Sequence, residues 1–197
     1  MAGFANRAVD PDILARARRG DMKAHEIIFR TFNAPVYSLM ARMTGSTATA
    51  DDLLQETFIE VIRSIGSFRG DASLATWIRK IAVSKCLMHL RSAWNNRATL
   101  FRDLGDEHTE YEPAVAADTP LTLAQMDLER ALARLSDTAR VVVILHDVEG
   151  YTHREIAELL GKSVSFSKSQ LARAHQRLRQ AAAGDAHVAG EHGGAER

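Results

Sequence analysis

The sequence has a single cysteine, Cys86, among its 197 residues, so an internal disulfide cannot form. A lone cysteine is typical of proteins in reducing compartments. No stretch approaches the roughly 18 uncharged apolar residues of a membrane-spanning helix. The opening "MAGFANRAVDPD" also lacks the apolar segment of a secretory signal. We therefore expect a cytoplasmic protein with no membrane insertion.

The sequence also lacks net charge, with 25 lysines and arginines against 25 aspartates and glutamates. Neutrality does not exclude nucleic-acid binding, but it requires that the two signs be segregated along the chain. Negative charge collects in "FRDLGDEHTEYEPAVAADTP", which also holds two prolines and few apolar residues. This composition predicts a linker with little packed structure.

Strand patterns are nearly absent, because alternation with period two is rare. Apolar residues instead recur at helical spacing from Ile13 to Leu90 and again from Leu121 to Leu178. We predict an all-α fold of two small helical domains, residues 12–95 and 121–181, joined by a flexible acidic linker at residues 96–120. The glycine-rich residues 182–197 are expected to form a disordered tail.

The stretch "GSTATADDLLQETFIEVIRSI" predicts a helix that begins at Thr49, with Asp52 in the capping-box position. Asp52, Glu56 and Glu60 follow one another at i, i+4 spacing on one face. Spacing alone favours an ordinary solvated face, since charge runs usually face water. A docking surface for a basic partner is the alternative. The expected apolar stripe consists of Leu54, Phe58, Val61, Ile62 and Ile65.

The next stretch, "SFRGDASLATWIRKIAVSKCLMHLRSAW", predicts a turn followed by a helix from an N-cap at Ser73 to about Arg91. Cations surround Trp77, an arrangement that suits phosphate contact and base stacking. A tryptophan at such a position is nevertheless more often part of the core. Cys86 and His89 could form half of a metal site, but no second pair accompanies them, so we predict no metal.

The stretch "YTHREIAELLGKSVSFSKSQLARAHQRLR" contains two short helical patterns separated at Gly161. Thr152 and Glu155 form a capping box for the first, and Ser163 can cap the second, which is rich in cations. An ordinary helical hairpin remains possible, but the caps, the turn and the charge together favour a DNA-binding helix-turn-helix. In that motif the segment from Ser165 to Arg173 would enter the major groove.

Four stretches in order resemble a known family: "ARARRGDMKAHEIIFR", "ADDLLQETFIEVIRSI", "FRGDASLATWIRKIAVSKCLMHLR" and "LARLSDTARVVVILHDVEGYTHREIAELLGKSVSFSKSQLARAHQRLR". The chain resembles bacterial sigma-70 family factors of the extracytoplasmic-function (ECF) group, which have only sigma regions 2 and 4. The resemblance implies a protein that binds core RNA polymerase and directs promoter-specific initiation, with no catalysis or cofactor of its own.

The resemblance also implies roles for individual residues. Those expected on the β′ clamp helices of polymerase are Asp51, Asp52, Gln55 and Glu56. Those expected to hold flipped bases of the minus-10 element are Phe68, Arg69, Asp71, Ser73, Arg79, Lys80 and Ser84. Those expected on minus-35 duplex DNA are Ser165, Phe166, Lys168, Ser169, Gln170, Ala172, Arg173 and Arg177.

Further partners follow from the same resemblance. Region 4 would meet the β flap of polymerase, and the linker would thread the basic channel of the enzyme. An anti-sigma factor or another external regulator is expected, because no sensor domain follows region 4. Acidic surfaces would thus meet polymerase while basic ones meet DNA, which accounts for the zero net charge.

The sequence departs from the family pattern at three places. The usual I-A-x-N reads "IAVS", which puts Ser84 where asparagine is typical, and the common G-T-V-K-S-R-L reads "SFSKSQL". Both changes concern which promoter is recognised. Thr49 stands where aspartate is common, and we hypothesise that its phosphorylation would strengthen polymerase docking by adding negative charge.

Two other classes of function remain open at this point. A conventional helix-turn-helix regulator would bind duplex DNA without polymerase, but its first half should be a ligand or phosphoacceptor domain. The strand–helix alternation of such a domain is not visible. An interaction protein with no DNA role is the third class. An enzyme is least favoured, since no constellation of nucleophile, base and electrophile is present.

Overall fold

The computed structural model describes residue 4 and residues 7–100 and 129–191, with side chains up to 94 in the first half and 181 in the second. Within these ranges all regular structure is helical, as the sequence predicts. The helices of the first half are α1 (Pro11–Arg18), α2 (Met22–Thr44), α3 (Thr47–Ser64), a 3₁₀ turn (Ile65–Ser67) and α4 (Leu74–Leu100). Residues 101–128 lie outside the described residues; they include all of the predicted acidic linker, 96–120, except its first five residues, which belong to α4.

In the first half, α3 and α4 pack on the long helix α2, and α1 closes one end of the bundle. Asp21 caps α2 by accepting a hydrogen bond from the backbone N–H of Lys23 at 2.8 Å. Ile28, Phe32 and Ile78 are almost fully buried in the centre of this bundle. Burial of each such side chain stabilises the fold by about 1.5–3 kcal/mol.

Helix α3 begins two residues earlier than its predicted start. The N-cap is Ser46, whose Oγ accepts from the backbone N–H of Thr49 at 3.2 Å, so Thr49 is the third helical residue and the prediction that it starts the helix is wrong. The reason lies in the connection before it. Gly45 ends α2 with a φ of 70°, and the serine that follows is a preferred N-cap.

Helix α4 has the predicted N-terminus but a later C-terminus. The Oγ of Ser73 accepts from the backbone N–H of Thr76 at 3.1 Å, which confirms the predicted cap. The helix then continues to Leu100, beyond the predicted end near Arg91. No glycine or proline interrupts the sequence before Gly105, so nothing local stops the helix at Arg91.

The second half contains a helical segment at residues 129–133 and three further helices, α5 (Asp137–Val143), α6 (His153–Leu160) and α7 (Val164–Glu191). A π-helical segment, Ile144–Val148, continues α5. The backbone of α7 extends through Glu191, into residues 182–197, where the sequence predicts a disordered tail. Alanine-rich sequence, "QAAAGDAHVAGE", favours helix despite its two glycines.

Candidate nucleic-acid interface

An acidic face lies on the outer side of α3. Asp51, Asp52, Gln55 and Glu56 are all exposed, while Leu53 on the opposite side is buried in the core. Lys85 of α4 reaches across with its Nζ 3.5 Å from the Glu56 carboxylate. The structure therefore gathers the four residues of the predicted polymerase surface on one accessible stripe. We call this stripe the acidic face.

The turn before α4 separates core residues from accessible ones. Phe68 is buried, and its ring packs on Trp77 with centroids 5.2 Å apart. The guanidinium of Arg18 lies over the Phe68 ring, 5.6 Å from its centroid. Arg69 and Asp71 are exposed beside them. The ring of Phe68 thus supports the turn from inside, and DNA could reach only the exposed neighbours without a rearrangement.

The predicted minus-10 residues on α4 do not all face the same way. Lys80 and Ser84 line a cavity of about 370 Å³ between α3 and α4, with Trp77 at its wall. Arg79 points instead toward the second half of the chain, where its Nη1 donates to the backbone carbonyl of Glu149 at 2.8 Å. The structure therefore brings Lys80 and Ser84 together and leaves Arg79 in a different environment.

The second half contains the predicted helix-turn-helix. The capping box at the start of α6 is confirmed: the side chain of Thr152 accepts from the N–H of Glu155, whose carboxylate accepts from the Thr152 N–H at 2.8 Å. The backbone N–H and the hydroxyl of Thr152 both donate to the Glu155 carboxylate and lower its pKa. Gly161 ends α6 with a φ of 64°, and the Oγ of Ser163 accepts from the Phe166 N–H at 3.1 Å. Both features match the prediction.

The N-terminal part of α7 presents the predicted minus-35 residues on its outer face. Its inward side consists of Ser167, Leu171 and Ala174, which are buried. The residues predicted to contact duplex DNA that are exposed are Ser165, Lys168, Ser169, Ala172, Arg173 and Arg177. The other two, Phe166 and Gln170, are partly buried. One side of α7 thus packs against its domain, and the opposite side is accessible.

A histidine cluster lies at the base of the helix-turn-helix, and no pattern in the sequence indicates it. The rings of His146 and His153 stack 4.6 Å apart, and Asp147 accepts from His146 at 2.7 Å and from His175 at 2.6 Å. The Nδ1 of His153 lies 3.0 Å from the Oγ of Ser167. These contacts join the π-helical segment to α6 and α7.

Titration in this cluster follows from its packing. Burial opposes ionisation of Asp147, but the hydrogen bonds from His175 and His146 outweigh it and lower the pKa of the carboxyl. Burial, together with the charges of His146 and Lys168, lowers the pKa of His153. Among the described residues no group of three or more potential ligands is placed to hold a metal ion. Helices in the same ranges are all too short or too polar to cross a membrane.

Charged contacts join the two halves. The Nε of Arg42 on α2 donates to Glu129 Oε1 at 2.8 Å, and both side chains are largely buried. Arg79 pairs with the carboxylate of Glu149 at 3.6 Å and lies over the Tyr151 ring, 5.2 Å from its centroid. Further along α4, Arg91 donates to the backbone carbonyl of Leu159. The halves therefore meet along α2 and α4, on the side away from the outer face of α7.

This geometry combines an acidic helix, a cavity lined by Lys80, Lys85 and Glu60, and a helix-turn-helix. Two family models match the chain in the same order, Sigma-70 region 2 over residues 28–96 and Sigma-70 region 4 over residues 125–178. The fold and its surfaces thus define a transcription initiation factor of the sigma-70 class.

Proteins of similar sequence place the chain in one group within this class. The ECF RNA polymerase sigma factor SigM of Mycobacterium tuberculosis is 34% identical over 182 residues, which cover 89% of this chain and 87% of SigM. The ECF RNA polymerase sigma-E factor of Haemophilus influenzae is 28% identical over 183 residues, covering 89% and 96% of the two chains. This chain belongs to the ECF group of sigma factors, which direct promoter-specific initiation by RNA polymerase.

Solved structures agree on the fold. The sigma factor RpoE from Bartonella quintana, in complex with the anti-sigma factor NepR, superposes with a TM-score of 0.53 at 21% identity. The alignment covers 81% of this chain and 97% of RpoE. CnrH, in complex with the cytosolic domain of CnrY, gives a TM-score of 0.50 at 22% identity, with 88% and 97% covered.

Proposed function

We propose that the acidic face of α3 binds the β′ clamp helices of core polymerase. The outer face of α7 reads minus-35 DNA. The turn before α4 and the cavity beside Trp77 receive minus-10 bases. The observation that carries this proposal is the segregation of side chains on α7. Lys168 and Arg173 are exposed together, whereas Leu171 between them and Ala174 directly after them are buried. A helix with this arrangement can enter the major groove without disturbing its own domain.

The acidic face supports the polymerase half of the proposal. Its four polar residues are unobstructed, and Lys85 restrains the Glu56 carboxylate, which reduces the entropy that docking must remove. A basic partner helix would gain several charge-assisted contacts along one stripe. We propose that the protein acts in the cytoplasm, has no enzymatic activity of its own, and leaves the chemistry to polymerase.

The docking assignment is tested by the double variant Asp52→Asn, Glu56→Gln. We expect weaker binding to core RNA polymerase by fluorescence anisotropy, with unchanged far-ultraviolet circular dichroism. The matched control is Asp12→Asn with Glu26→Gln, which removes two exposed charges from α1 and α2 instead. Equal affinities for the two double variants would count against the acidic face.

The DNA assignment is tested with Lys168→Ala and Arg173→Ala. Each should weaken minus-35 binding by about 1–3 kcal/mol if its side chain contacts bases. The promoters for this assay are identified first: the protein is combined with core RNA polymerase, and transcription start sites are mapped on a host genomic library. Lys23→Ala, an exposed cation of α2, controls for the loss of charge alone. Binding that all three variants leave unchanged would remove α7 as the reader.

We also propose an external regulator of the anti-sigma type. The support is that RpoE, which shares the fold, was solved in complex with the anti-sigma factor NepR. Such a partner would have to compete with polymerase for region 2 or with DNA for region 4. Affinity capture with the tagged chain from its own host, followed by inhibition of promoter-dependent transcription with the captured protein, tests this proposal. A captured partner that leaves transcription unchanged is not such a regulator.

A further inference from the structure

Arg18, the last residue of α1, binds the turn before α4. Its Nη2 donates to the backbone carbonyl of Phe68, and its guanidinium lies over the ring of the same residue, 5.6 Å from the centroid. The two residues are 50 positions apart in the sequence. One guanidinium therefore contacts both the main chain and the side chain of Phe68, and so restrains where the turn begins.

The end of α1 that carries Arg18 is itself fixed to the helical bundle. Ala17 is only 1% exposed, and its backbone carbonyl lies 2.9 Å from Nε2 of the buried His25 on α2. The connection to α2 is closed by an ion pair, with 2.7 Å between Nη2 of Arg16 and Oδ2 of Asp21. Arg18 thus reaches the turn from a rigid support.

The turn has fewer restraints beyond Phe68. Residues 69–73 are all exposed, and Gly70 has a φ of 87°. The next fixed residue is Ser73, which caps α4. Exposed segments with little packing are the least stable parts of a fold. The positions of Arg69 and Asp71 therefore depend on how firmly the turn is held at its two ends.

The contact of Arg18 has a local effect. Arg18 is exposed, and replacement of an exposed side chain generally changes the stability of the whole domain little. The ring of Phe68, however, packs on Trp77 with centroids 5.2 Å apart, and Trp77 lines the cavity between α3 and α4. Loss of Arg18 should therefore be felt at the turn and at the wall of this cavity.

We propose that Arg18 is a positioning residue for minus-10 recognition, which fixes the turn at Phe68 so that Arg69 and Asp71 are already oriented toward the unpaired bases. The inference rests on the proposed minus-10 role of the turn. Preorganisation of this kind reduces the entropy that DNA binding must remove. Arg18 acts through Phe68 and does not itself contact DNA.

Promoter opening by the reconstituted holoenzyme is the main test. On a mapped host promoter, the reactivity of unpaired thymines with permanganate reports opening. Arg18→Ala should slow opening on the order of tenfold, the effect of losing one charge-assisted hydrogen bond. The affinities for core polymerase and for the unopened promoter should stay unchanged. Arg19→Ala, which removes an exposed cation at the next position, should match the wild type. Equal opening rates for the two variants would overturn the inference.

Salt dependence separates positioning from a direct contact between Arg18 and a phosphate. Each phosphate contact adds to the salt dependence of DNA binding, because it releases condensed cations. If Arg18 acts through Phe68, the ratio of opening rates between Arg18→Ala and wild type should be the same at about 50 mM and about 200 mM salt. A ratio that approaches one at the higher concentration would show a phosphate contact and overturn positioning.

The conformation of the turn is measured in the free full chain. Trp94→Phe leaves Trp77 as the only tryptophan. Because the ring of Phe68 packs on Trp77, release of the turn by Arg18→Ala should shift the Trp77 emission to longer wavelength, and Arg19→Ala should leave it unchanged. Slowed opening without any change in emission would mean that Arg18 does not act through Phe68.

The double variant Arg69→Ala, Asp71→Ala separates this inference from the proposed function of the turn. If the double variant slows opening and Arg18→Ala does not, the turn receives minus-10 bases but Arg18 does not position it. If neither slows opening, the proposed minus-10 role of the turn fails, and the inference fails with it.

Discussion

Replacement of Gly161 by alanine tests the conformational demand at the helix-turn-helix turn. Gly161 has a φ of 64°, and the following N–H, that of Lys162, donates to the carbonyl of Ala157 at 2.9 Å to close the end of α6. A Cβ added at Gly161 would meet no atom within 4 Å, so the change introduces no clash. The cost is therefore that of the backbone conformation alone.

The magnitude follows from two opposing effects. A left-handed conformation costs an L-residue about 1–2 kcal/mol. Alanine also restricts the unfolded chain, which returns about 0.4–1 kcal/mol. The net loss should be about 1 kcal/mol, or roughly a fivefold decrease in hydrogen-exchange protection of the α6 amides if these exchange by opening of the domain. Asparagine tolerates the left-handed region better, so Gly161→Asn should lose less.

Hydrogen exchange monitored by mass spectrometry on the full chain is the appropriate assay. Both tryptophans, Trp77 and Trp94, lie in the first half, so intrinsic tryptophan fluorescence would not report on this turn. Gly66→Ala is the control, since its Cβ would sit 3.9 Å from the Arg18 carbonyl in ordinary contact. A loss at Gly161→Ala above about 3 kcal/mol would reveal a clash, and an asparagine variant less protected than the alanine variant would refute the conformational argument.

Three further predictions concern single side chains. Thr152→Ala removes the acceptor for the Glu155 N–H and should destabilise α6 by about 1 kcal/mol in the same exchange assay; Thr152→Ser should retain most of the protection, and equal losses would contradict a capping role. Burial raises the pKa of the Cys86 thiol, so iodoacetamide at pH 8 should label the native chain far more slowly than the urea-unfolded chain, and comparable rates by mass spectrometry would contradict that burial. The pKa of His153 is lowered in the folded state, so folding favours the neutral ring. The resulting stability is complete above the unfolded pKa near 6.5 and is lost as pH falls from that value through the lower folded pKa. The urea-unfolding difference between wild type and His153→Gln should therefore shrink from pH 7.5 to 5.5, and a constant difference would show that His153 does not titrate as described.

Local features of the helix-turn-helix could be predicted from sequence because each depends on residues within one turn. Thr152, Gly161 and Ser163 carry their roles in their own chemistry as cap, left-handed turn and cap. The first residue of α3 is more difficult to predict from sequence, because Ser46 and Thr49, three residues apart, are both preferred N-cap residues. The choice between them depends on where α2 ends, at Gly45, and so on the preceding element.

Tertiary packing overrides local propensity at other positions. Pro35 lies inside α2, where proline removes a backbone hydrogen bond, yet the helix is continuous and Pro35 is buried in the core side of it. Helical spacing predicts Ile62 in the apolar stripe of α3, but its side chain is 44% exposed, and that of Met88 on α4 is 59% exposed. Periodicity identifies a helix but not the width of the face that its neighbours cover.

Contacts between distant residues were beyond sequence reasoning altogether. Arg79 and Glu149 are 70 positions apart, and His175 and Asp147 are 28 apart. Nothing in either local pattern indicates that these side chains meet. For Arg79 the sequence pattern led to a DNA contact, whereas the structure adds an acidic partner from the other domain.

The zero net charge of the whole chain is matched by a balance of charges at the interface between its two halves. Arg42 and Arg79 of region 2 meet Glu129 and Glu149 of region 4, so the interface contains both signs in close pairs. Binding of DNA is weakened steeply by salt, because each phosphate contact releases condensed cations. The buried pairs between the domains are screened much less. Raising the salt concentration should therefore weaken binding to DNA far more than it weakens the ion pairs between the two halves.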